Sequence, residues 1–419
     1  MATQAQFRTG GTIGDRFRDV RALSVAIAAP LSDADATLQP CADASPAKWH
    51  LAHPSWFFET FVLRDHLPGY RPFDERWAFL FNSYYEGEGE RIARDRRGML
   101  SRPSLNEVLA YRAHVDGALL EALPMLPAEA LALVELGLNH EQQHQELMLT
   151  DILAAFAENP LLPAIWDMAP EPSPPNGEIG GVRFPGGVAE IGHNGTGFAF
   201  DCEGPRHRVL VQPYELADRP VTNAEWLQFV SAGGYRTPGH WTADGWAWVT
   251  ANGVEAPLYW RRSGEGWTRF GLDGLHPLDP AEPVCHISWY EADAFARWAG
   301  ARLPTEAEWE IAASALDPAS GNQLDAAGPA RPRTAPGIGL RQMFGDVWEW
   351  TASPFTPYPG FTPAEGTVGE YNGKFMVNQF VLRGGSCGTP RGHLRTSYRN
   401  FFYPHQRWQF CGLRLARDI

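Results

Sequence analysis

The residue pattern of this chain changes abruptly at a proline-rich segment that runs from Asn159 to Pro185. Proline lacks a backbone N–H donor and breaks helices, so neither one helical array nor one sheet can continue through this segment. Before it, apolar residues recur at helical spacing; after it, glycine and tryptophan separate short apolar runs. The pattern predicts a multidomain chain, with an all-α domain over 1–158, a linker over 159–181 and an α+β domain over 182–419.

The helical periodicity of the first half is carried by four segments: LSVAIAAPL, SWFFETFVL, LNEVLAYRAHVDGALLEAL and ALALVELGLNHEQQHQELMLTDILAAFA. Four such segments predict a four-helix bundle, whose interior can hold a metal ion between facing helices. In the second half, TNAEWLQFVSAG and SWYEADAFARWAG predict helices among strands and loops. Thr222 and Glu225 have the spacing of a capping box at the start of the first of these helices.

Charge and composition exclude several classes of partner. The formal net charge of −14 argues against a nucleic-acid ligand, because phosphate binding needs a clustered basic surface. No stretch approaches the roughly 18 continuous apolar residues of a membrane span, and no apolar run follows the N-terminal basic residues as in a secretory signal. The five cysteines include no CxxC pair. We therefore expect reduced thiols and a cytoplasmic protein.

Two histidines in the fourth helical segment have the spacing of metal ligands. His140 and His144 lie one helical turn apart on one face, where two imidazoles can bind one divalent ion. Glu146 lies about 240° around the helix from His140 and is not expected to join them. The third ligand must then come from another helix. His53 is the best candidate, with His50 as its nearby rival.

Other interpretations of this motif remain open at this point. The histidines can simply occupy solvated or hydrogen-bonded helix faces. The string HEQQH also matches the H-E-x-x-H signature of zinc peptidases, in which Glu141 would be the general base. The H-x-x-G-x-x-H continuation of one large peptidase class is absent from the sequence. A metallopeptidase is therefore kept as an alternative.

Specific strings extend the comparison to nearly the whole chain. The first half resembles a DinB-like bundle, and the second resembles the formylglycine-generating-enzyme (sulfatase-modifying factor) domain, which has a C-type-lectin-like fold. The second-half strings are EGPRH (203–207), RPVTN (219–223), RLPTEAEWE (302–310), GDVWEWT (345–351), LRGGS (382–386) and GLRLA (412–416). In this order, the two domains resemble the ergothioneine-type sulfoxide synthases, the EgtB family.

The resemblance implies an iron(II) enzyme that uses molecular oxygen as a cosubstrate. Such an enzyme joins a sulfur donor to C2 of the imidazole ring of N-trimethylhistidine (hercynine) and forms a sulfoxide. His53, His140 and His144 match the three iron ligands of the family. Three neutral imidazoles leave the charge of the ion uncompensated, which favours an anionic thiolate, and leave coordination positions open for substrates. The implied partners are small molecules, with no nucleic acid and no membrane.

The resemblance also assigns residues to the trimethylhistidine. Gln143 and Asn400 match family positions that contact it. A quaternary ammonium group has no N–H to donate, so aromatic faces are natural neighbours, and Phe401 and Phe402 can provide them. Alternatively, the RNFF segment belongs to the hydrophobic core.

A pair of tyrosines resembles that of one subgroup of the family. The family needs a donor of a proton or hydrogen atom close to the oxidising centre, and a phenol suits this task. Tyr84 and Tyr85 occupy the matching positions, and we expect at least one of them to be catalytic. The alternative is that both only pack at the end of a helix.

The donor site departs from the pattern of the family members that use γ-glutamylcysteine. Those members carry an Asp and an Arg where this chain has Phe402 and Gln406. A smaller donor such as cysteine is favoured, with Arg94 and Arg97 as candidates to bind its carboxylate. A selenosugar, which would make the product selenoneine, is the alternative donor.

Three other functional classes share parts of this architecture. A formylglycine-generating enzyme needs a cysteine pair that would fall on Thr389 and Leu394, and Cys387 is the only nearby cysteine. A DinB-type thiol transferase would use a divalent ion without oxygen. A lectin-like binding protein would use the bundle as a platform only, and it would neither retain iron nor consume oxygen.

Overall fold

The fold was determined as a computed structural model that describes residues 11–170, 173–174, 177–264, 266–365, 369 and 372–419. The first ten residues of the predicted bundle, and Pro172 and Pro175 of the predicted linker, lie outside the described residues. The two-domain fold class is confirmed: a helical first half precedes a second half that mixes helices and sheets. No helix in the described ranges is both long and apolar enough to cross a bilayer.

The bundle is built from four long helices and one short one. They are α1 (Ile13–Ala28), α2 (Ala47–Phe58), α3 (Trp77–Phe81), α4 (Leu105–Ala122) and α5 (Ala128–Ala157), and a π-helical segment, Glu59–Arg64, extends α2. Capping boxes at Thr12 and Ser104 start α1 and α4, where each side chain satisfies a free N–H of the first turn. Helix α2 packs on α4 and α5, and α1 packs on α5, so α2 and α5 face each other across the core.

The second half contains twelve strands among its described residues: β1 (Gly181–Phe184), β2 (Gly187–Ile191), β3 (His207–Val211), β4 (Tyr214–Ala217), β5 (Trp260–Ser263), β6 (Gly266–Gly271), β7 (Gly274–Pro277), β8 (Trp348–Pro354), β9 (Phe380–Arg383), β10 (Asn400–Phe402), β11 (Cys411–Gly412) and β12 (Ala416–Asp418). They form sheets in the orders β1-β4-β12, β10-β9-β8-β11, β2-β3 and β5-β6-β7. Strand β11 runs parallel to β8, whereas the other pairs are antiparallel. Asn400 pairs with Leu382 on the edge strand β10.

Four helices accompany these sheets: α6 (Asn223–Ser231), α7 (Ala243–Asn252), α8 (Trp289–Trp298) and α9 (Glu306–Ala313). The two predicted helices are confirmed as α6 and α8, and α6 begins with the predicted Thr222 capping box. Helices α7 and α9 were not predicted. The signal for α9 was present, because Thr305 and Glu308 form another capping box within the RLPTEAEWE string.

Several of the second-half motifs turn out to hold the fold together. Glu306 binds the guanidinium groups of Arg383 and Arg399, and Glu349 binds Arg414. These groups are buried, where an unpaired charge would be expensive. The motifs therefore supply matched buried ion pairs that fix the loops between the strands.

One hydrophobic core spans the two halves, beside a second core built from buried residues of the second half. Second-half residues, including Tyr259, Phe270 and Phe410, pack into the same cluster as the apolar residues of the bundle. The segment after α5 also contacts the second half, because the N–H groups of Ile165 and Trp166 donate to the carbonyl oxygen of Leu272 at 2.9 and 3.1 Å. This shared core fixes the orientation of α5 toward β8 and β10, and the functional site lies where they meet.

Candidate functional site

The structure brings three histidines together between α2 and α5. One candidate ligand atom from each of His53, His140 and His144 lies within 4.8 Å of the others. The ring centroids are 4.7 to 4.9 Å apart, and all three residues are buried. His50, the rival candidate, is not part of this cluster. Imidazoles gathered this closely on facing helices have the geometry of a metal site.

The tautomer of His53 is set by a backbone contact. Its Nδ1 lies 2.6 Å from the carbonyl oxygen of Phe81, so Nδ1 must carry the proton and donate it. Its Nε2 is then a lone-pair donor. That Nε2 atom is buried and has no hydrogen-bond partner among the described residues, an arrangement that costs free energy unless another group binds there. His53 thus fits a metal ion at Nε2.

The tautomer of His144 is set by a relay through His50. Asp151 accepts a hydrogen bond from Nε2 of His50 at 2.9 Å, and Nδ1 of His50 lies 2.8 Å from Nδ1 of His144. A neutral His50 that donates to Asp151 must accept at Nδ1, so His144 donates from Nδ1. The lone pair of His144 is then on Nε2. This is the carboxylate–histidine support that orients metal-binding imidazoles in proteins.

Burial keeps the three clustered imidazoles in the neutral form that binds a metal ion. It lowers the pKa of His140 to about 3 and lowers the pKa values of His53 and His144 well below the usual histidine range. Neighbouring histidines add to the shift at His53 and His144. Neutral imidazoles offer lone pairs at neutral pH, so no proton has to be displaced for an ion to bind.

Glu141, the general base that a zinc peptidase would require, is committed elsewhere. Its carboxylate accepts from Arg21 at 2.9 Å, from Arg112 at 2.7 Å and from Ser24 at 2.6 Å, all buried. Burial alone would raise the pKa of Glu141, but Arg112 and Arg21 outweigh it and lower the pKa to about 2. Two guanidinium groups hold this carboxylate as a structural anion, which argues against the peptidase alternative.

A cavity of about 470 Å³ opens beside the histidine cluster, between the bundle and the second domain. His140 and His144 line it from α5. The cavity is also lined by Tyr84 and by all six residues that the sequence proposed for substrates, namely Arg94, Arg97, Gln143, Asn400, Phe401 and Phe402. Two predicted site residues, His53 and Tyr85, lie behind its wall.

Gln143 is held against the second domain. Its Nε2 donates to the hydroxyl oxygen of Tyr398 at 2.5 Å, and that oxygen lies 3.2 Å from Nε2 of His393. Nδ1 of His393 in turn lies 3.3 Å from Oε1 of Gln142. This ring of polar contacts joins α5 to the segment before β10. The side chain of Gln143 is thereby fixed on the cavity wall next to His144.

The β10 residues supply one polar and two aromatic groups to the cavity. The amide oxygen of Asn400 accepts from the N–H of Phe401 at 2.9 Å, which orients the Asn400 side chain. Phe401 stacks on Phe355 with ring centroids 4.0 Å apart, and Phe402 makes an edge contact with Trp408 at 5.9 Å. Both phenylalanines are half-buried, so each contributes to packing while one part of its surface faces the cavity.

The two tyrosines differ in position. Tyr84 lines the cavity, its ring lies 5.2 Å from that of Phe375, and the Lys374 ammonium group donates to its carbonyl oxygen. Tyr85 is fully buried among aromatic rings, with Trp56 at 5.5 Å and Phe61 at 5.3 Å. Only Tyr84 of the pair faces the space where substrates would bind.

The two predicted arginines also differ. Arg94 is exposed at the rim of the cavity, whereas Arg97 is buried and lies 3.4 Å above the ring of Trp49. Arg97 donates to the hydroxyl groups of Ser45 at 2.9 Å and Ser83 at 3.1 Å. It has no ion-pair partner within the described ranges, and its buried Nε makes no hydrogen bond there. Burial and repulsion from Arg94 lower its pKa from the usual arginine range, so an anionic ligand would stabilise this cation.

Sequence reasoning missed several cavity residues whose roles depend on distant contacts. Asp151 accepts from the Ser45 N–H at 2.8 Å and from the indole of Trp408 at 2.9 Å, in addition to His50. Tyr398 lies two residues before Asn400, and this proximity was the available signal for it. No local signal marked Asp151, because its partners lie far away along the chain.

Glu146 joins the bundle to two motifs of the second domain. It accepts from the indole of Trp348 at 2.8 Å, from Thr389 at 2.7 Å and from the hydroxyl group of Ser386. Its position outside the histidine cluster agrees with the expectation from the helical angle. Burial raises the pKa of Glu146 despite these three donors. Thr389 stands where a cysteine was expected for a formylglycine-generating enzyme. In this chain its hydroxyl group donates to Glu146 and so contributes to the contact between the domains.

Comparisons with known proteins match this two-domain order. The family model for the DinB superfamily matches residues 16–148, and that for the sulfatase-modifying factor enzyme 1-like domain matches residues 168–419. The hercynine oxygenase of Mycolicibacterium thermoresistibile is 36% identical over 404 residues, covering 90% of this chain and 88% of that protein. The hercynine oxygenase of Mycobacterium tuberculosis is 36% identical over 401 residues, covering 90% and 91%. The formylglycine-generating enzyme of Streptomyces coelicolor is 34% identical but covers only 52% of this chain and 82% of its own.

Proposed function

Because the chain belongs to the hercynine oxygenase family, we propose that it is an iron(II)- and oxygen-dependent sulfoxide synthase that joins cysteine to C2 of the imidazole ring of N-trimethylhistidine. The observation that carries the proposal is the cluster of three buried, neutral histidines, His53, His140 and His144, beside a cavity with Gln143 and Asn400 on its wall. This donor set fits iron(II), with His53 and His144 binding through Nε2.

The overall reaction balances with one molecule of dioxygen. The thiol S–H and the imidazole C2–H bonds are replaced by one C–S bond, and the sulfur is oxidised to the sulfoxide. One oxygen atom ends on sulfur, and the other takes up the two hydrogens as water. Iron held by His53, His140 and His144 would supply the redox chemistry that activates oxygen, while the cavity beside these residues would bring the two substrates close together.

The residues of the chain position the two substrates. Gln143, fixed by Tyr398, lies one residue before a metal ligand, and Asn400 lies on the opposite, second-domain wall. Phe401 and Phe402 line the same cavity, and aromatic faces suit a trimethylammonium group that cannot donate a hydrogen bond. The trimethylhistidine would therefore bind across the domain boundary, with its imidazole toward the histidine cluster.

Arg97 would bind the carboxylate of the sulfur donor. Two buried arginines line the cavity, and Arg399 is paired with Glu306, whereas Arg97 has no ion-pair partner among the described residues. Arg97 lies on the ring of Trp49 and donates to Ser45 and Ser83. A planar guanidinium suits a carboxylate, which cysteine carries and a selenosugar lacks. This difference favours the amino-acid donor over the selenosugar.

Tyr84 would hold the proton or hydrogen atom that is transferred near the oxidising centre. It is the member of the tyrosine pair that faces the cavity. Tyr85 would instead support the wall behind it, in contact with Trp56, which itself stacks on His53 at 5.5 Å. Tyr84 would thus be the reacting phenol, and Tyr85 would serve only in packing.

The test is anaerobic loading with iron(II), followed by exposure to oxygen with trimethylhistidine and one donor at a time. Cysteine, γ-glutamylcysteine and a selenosugar are compared, and products are identified by mass spectrometry while oxygen consumption is recorded. A cysteine-derived sulfoxide is expected. A selenium adduct formed preferentially would overturn the choice of donor. Transfer without oxygen consumption would favour a thiol transferase, and no adduct would favour a binding protein.

The ligand assignment has its own test. His140→Ala should lose both bound iron and turnover, because it removes one of three protein ligands. A His140→Ala protein that retains full iron and full turnover would refute the assignment. His276→Ala is a suitable control, since His276 lies in the β5-β6-β7 sheet, away from the cavity.

A further inference from the structure

Gln406 lines the cavity and is buried. The backbone N–H of Tyr403 donates to Oε1 of Gln406 at 2.9 Å. This contact fixes the orientation of the amide, because its oxygen must face Tyr403 and its NH₂ group must face the other way. Nε2 of Gln406 then donates to Oδ2 of Asp43 at 3.1 Å.

Asp43 therefore brings a negative charge to the cavity beside a neutral amide. Asp43 lines the cavity and is exposed. Among the described residues, no arginine, lysine or histidine pairs with it, and its hydrogen-bonded partner is the neutral amide of Gln406. A carboxylate with a neutral partner has lone pairs left to accept from a cationic ligand.

The other carboxylates of the cavity cannot serve in this way. Asp151 accepts from His50, Ser45 and Trp408, and both of its oxygens are occupied. Glu146 is buried under three donors from the second domain. Among the described carboxylates that line the cavity, Asp43 therefore has the most capacity left to accept hydrogen bonds from a ligand.

Asp43 and Arg97 bring opposite charges to the same cavity. Asp43 lies two residues before Ser45, whose hydroxyl accepts from Arg97 at 2.9 Å. One short segment thus contributes to the cavity a carboxylate with a neutral partner and, through Ser45, a contact to a buried guanidinium that has no ion-pair partner among the described residues. An α-amino acid has the opposite arrangement, with a carboxylate and an ammonium group on the same carbon. Its thiol would remain free to extend toward the histidine cluster.

We infer that Asp43 determines donor specificity by binding the α-ammonium group of a free amino-acid thiol. This inference rests on the proposed function and deepens it. It explains how the site would distinguish among donors that share a thiol or selenol. In γ-glutamylcysteine the cysteine nitrogen is an uncharged amide, and a selenosugar has no ammonium group. Neither donor has an ammonium group on the carbon next to the thiol-bearing carbon, where free cysteine would offer one to Asp43.

The test compares donors that differ by one charged group. Cysteine has both charges, 3-mercaptopropionate lacks the ammonium group, and cysteamine lacks the carboxylate. Steady-state kcat and KM are measured for each donor with the iron-loaded full chain, trimethylhistidine and oxygen. The variants are Asp43→Asn and, as matched control, Asp95→Asn, an exposed aspartate near Arg97 that does not line the cavity.

In Asp43→Asn, kcat/KM for cysteine should fall about tenfold through KM, as for the loss of one charge-assisted hydrogen bond. The value for 3-mercaptopropionate should stay unchanged, and Asp95→Asn should behave as the parent protein. Gln406→Arg should have the same effect as Asp43→Asn, because the new cation would pair with Asp43.

The outcomes separate this inference from the proposed function. If no donor gives a product with the parent protein, the proposed function fails, and this inference fails with it. If cysteine is a substrate but Asp43→Asn lowers kcat/KM equally for cysteine and 3-mercaptopropionate, the reaction stands and the role of Asp43 is refuted.

Discussion

The relay from Asp151 through His50 to His144 predicts that an outer carboxylate controls metal affinity. Asp151 accepts four hydrogen bonds. Oδ2 accepts from His50 and from the Ser45 N–H, and Oδ1 accepts from the Trp408 indole and, at 3.4 Å, from the Thr150 hydroxyl. The substitution Asp151→Asn preserves shape but replaces one of these oxygens with an NH₂ group. Whichever way the amide turns, an N–H donor then faces another donor.

The magnitude follows from this mismatch. A buried donor left unpaired costs about 1 to 3 kcal/mol of folding free energy. Losing the carboxylate also removes the group that fixes the tautomer of His50. The tautomer of His50 in turn keeps the proton of His144 on Nδ1, so this proton is no longer fixed either. Loss of such support lowers metal affinity by about 10- to 100-fold. We therefore expect Asp151→Asn to be moderately less stable and to bind iron(II) at least tenfold more weakly.

The assay is anaerobic titration with iron(II), repeated with cobalt(II) as a spectroscopic probe, beside denaturant unfolding of the metal-free protein. Glu59→Gln is the matched control. Glu59 is also a buried carboxylate of the bundle and accepts from Tyr70, Tyr111 and the N–H of Phe73 at 2.8, 2.7 and 3.0 Å, but it does not line the cavity. Glu59→Gln should lose stability and keep its metal affinity. If Asp151→Asn binds metal as tightly as Glu59→Gln does, the relay argument is wrong.

Three further predictions follow from the structure. Arg97→Met should raise KM for cysteine about 10- to 100-fold with little change for cysteamine, measured by product formation, because only the carboxylate contact is lost; equal losses for both donors would contradict this. Tyr84→Phe should lower kcat about 100-fold or more, whereas Tyr85→Phe should mainly lower stability; the reverse pattern in paired kinetic and unfolding measurements would move the catalytic role to Tyr85. Burial alone would raise the pKa of Glu306, but Arg399 and Arg383 outweigh it and lower the pKa. The stabilisation from Glu306 is therefore complete above the usual glutamate range and lost as pH falls below it. Glu306→Gln should cost about 3 kcal/mol at pH 7 and flatten the loss of stability between about pH 5 and 3 in denaturant unfolding; an unchanged pH profile would show that other carboxyls dominate.

Much of the fold was predictable because its signals are local. The four long helices of the bundle follow from apolar spacing, and the start of α6 follows from the Thr222 capping box. A capping box at Thr305 also marks the start of α9. Helix α9 was therefore missed although its local signal was present in the sequence, and no tertiary effect is needed to explain the helix. The pairing order of the strands had no such signal, since β11 joins β8 and β12 joins β4 across long stretches of chain.

The candidate site likewise has some features that the sequence determines and others that depend on tertiary structure. The sequence by itself determined that His140 and His144 share a helix face, because the period of the α-helix fixes their relative position whatever surrounds them. It left His53 and His50, three residues apart on α2, as rivals. Only the tertiary structure separates them: the Phe81 carbonyl fixes Nδ1 of His53, and Asp151 holds His50 in a supporting position.

The tertiary structure also decided the roles of the acidic residues. The acidic residues Glu141, Glu146 and Asp151 lie on the same helix, and nothing in the sequence distinguishes their roles. In the structure, Glu141 pairs with arginines, Glu146 binds the second domain and Asp151 supports a histidine. The physical reason is that helical periodicity sets only the direction in which a side chain points. The groups it meets there come from segments that packing brings together from distant parts of the chain.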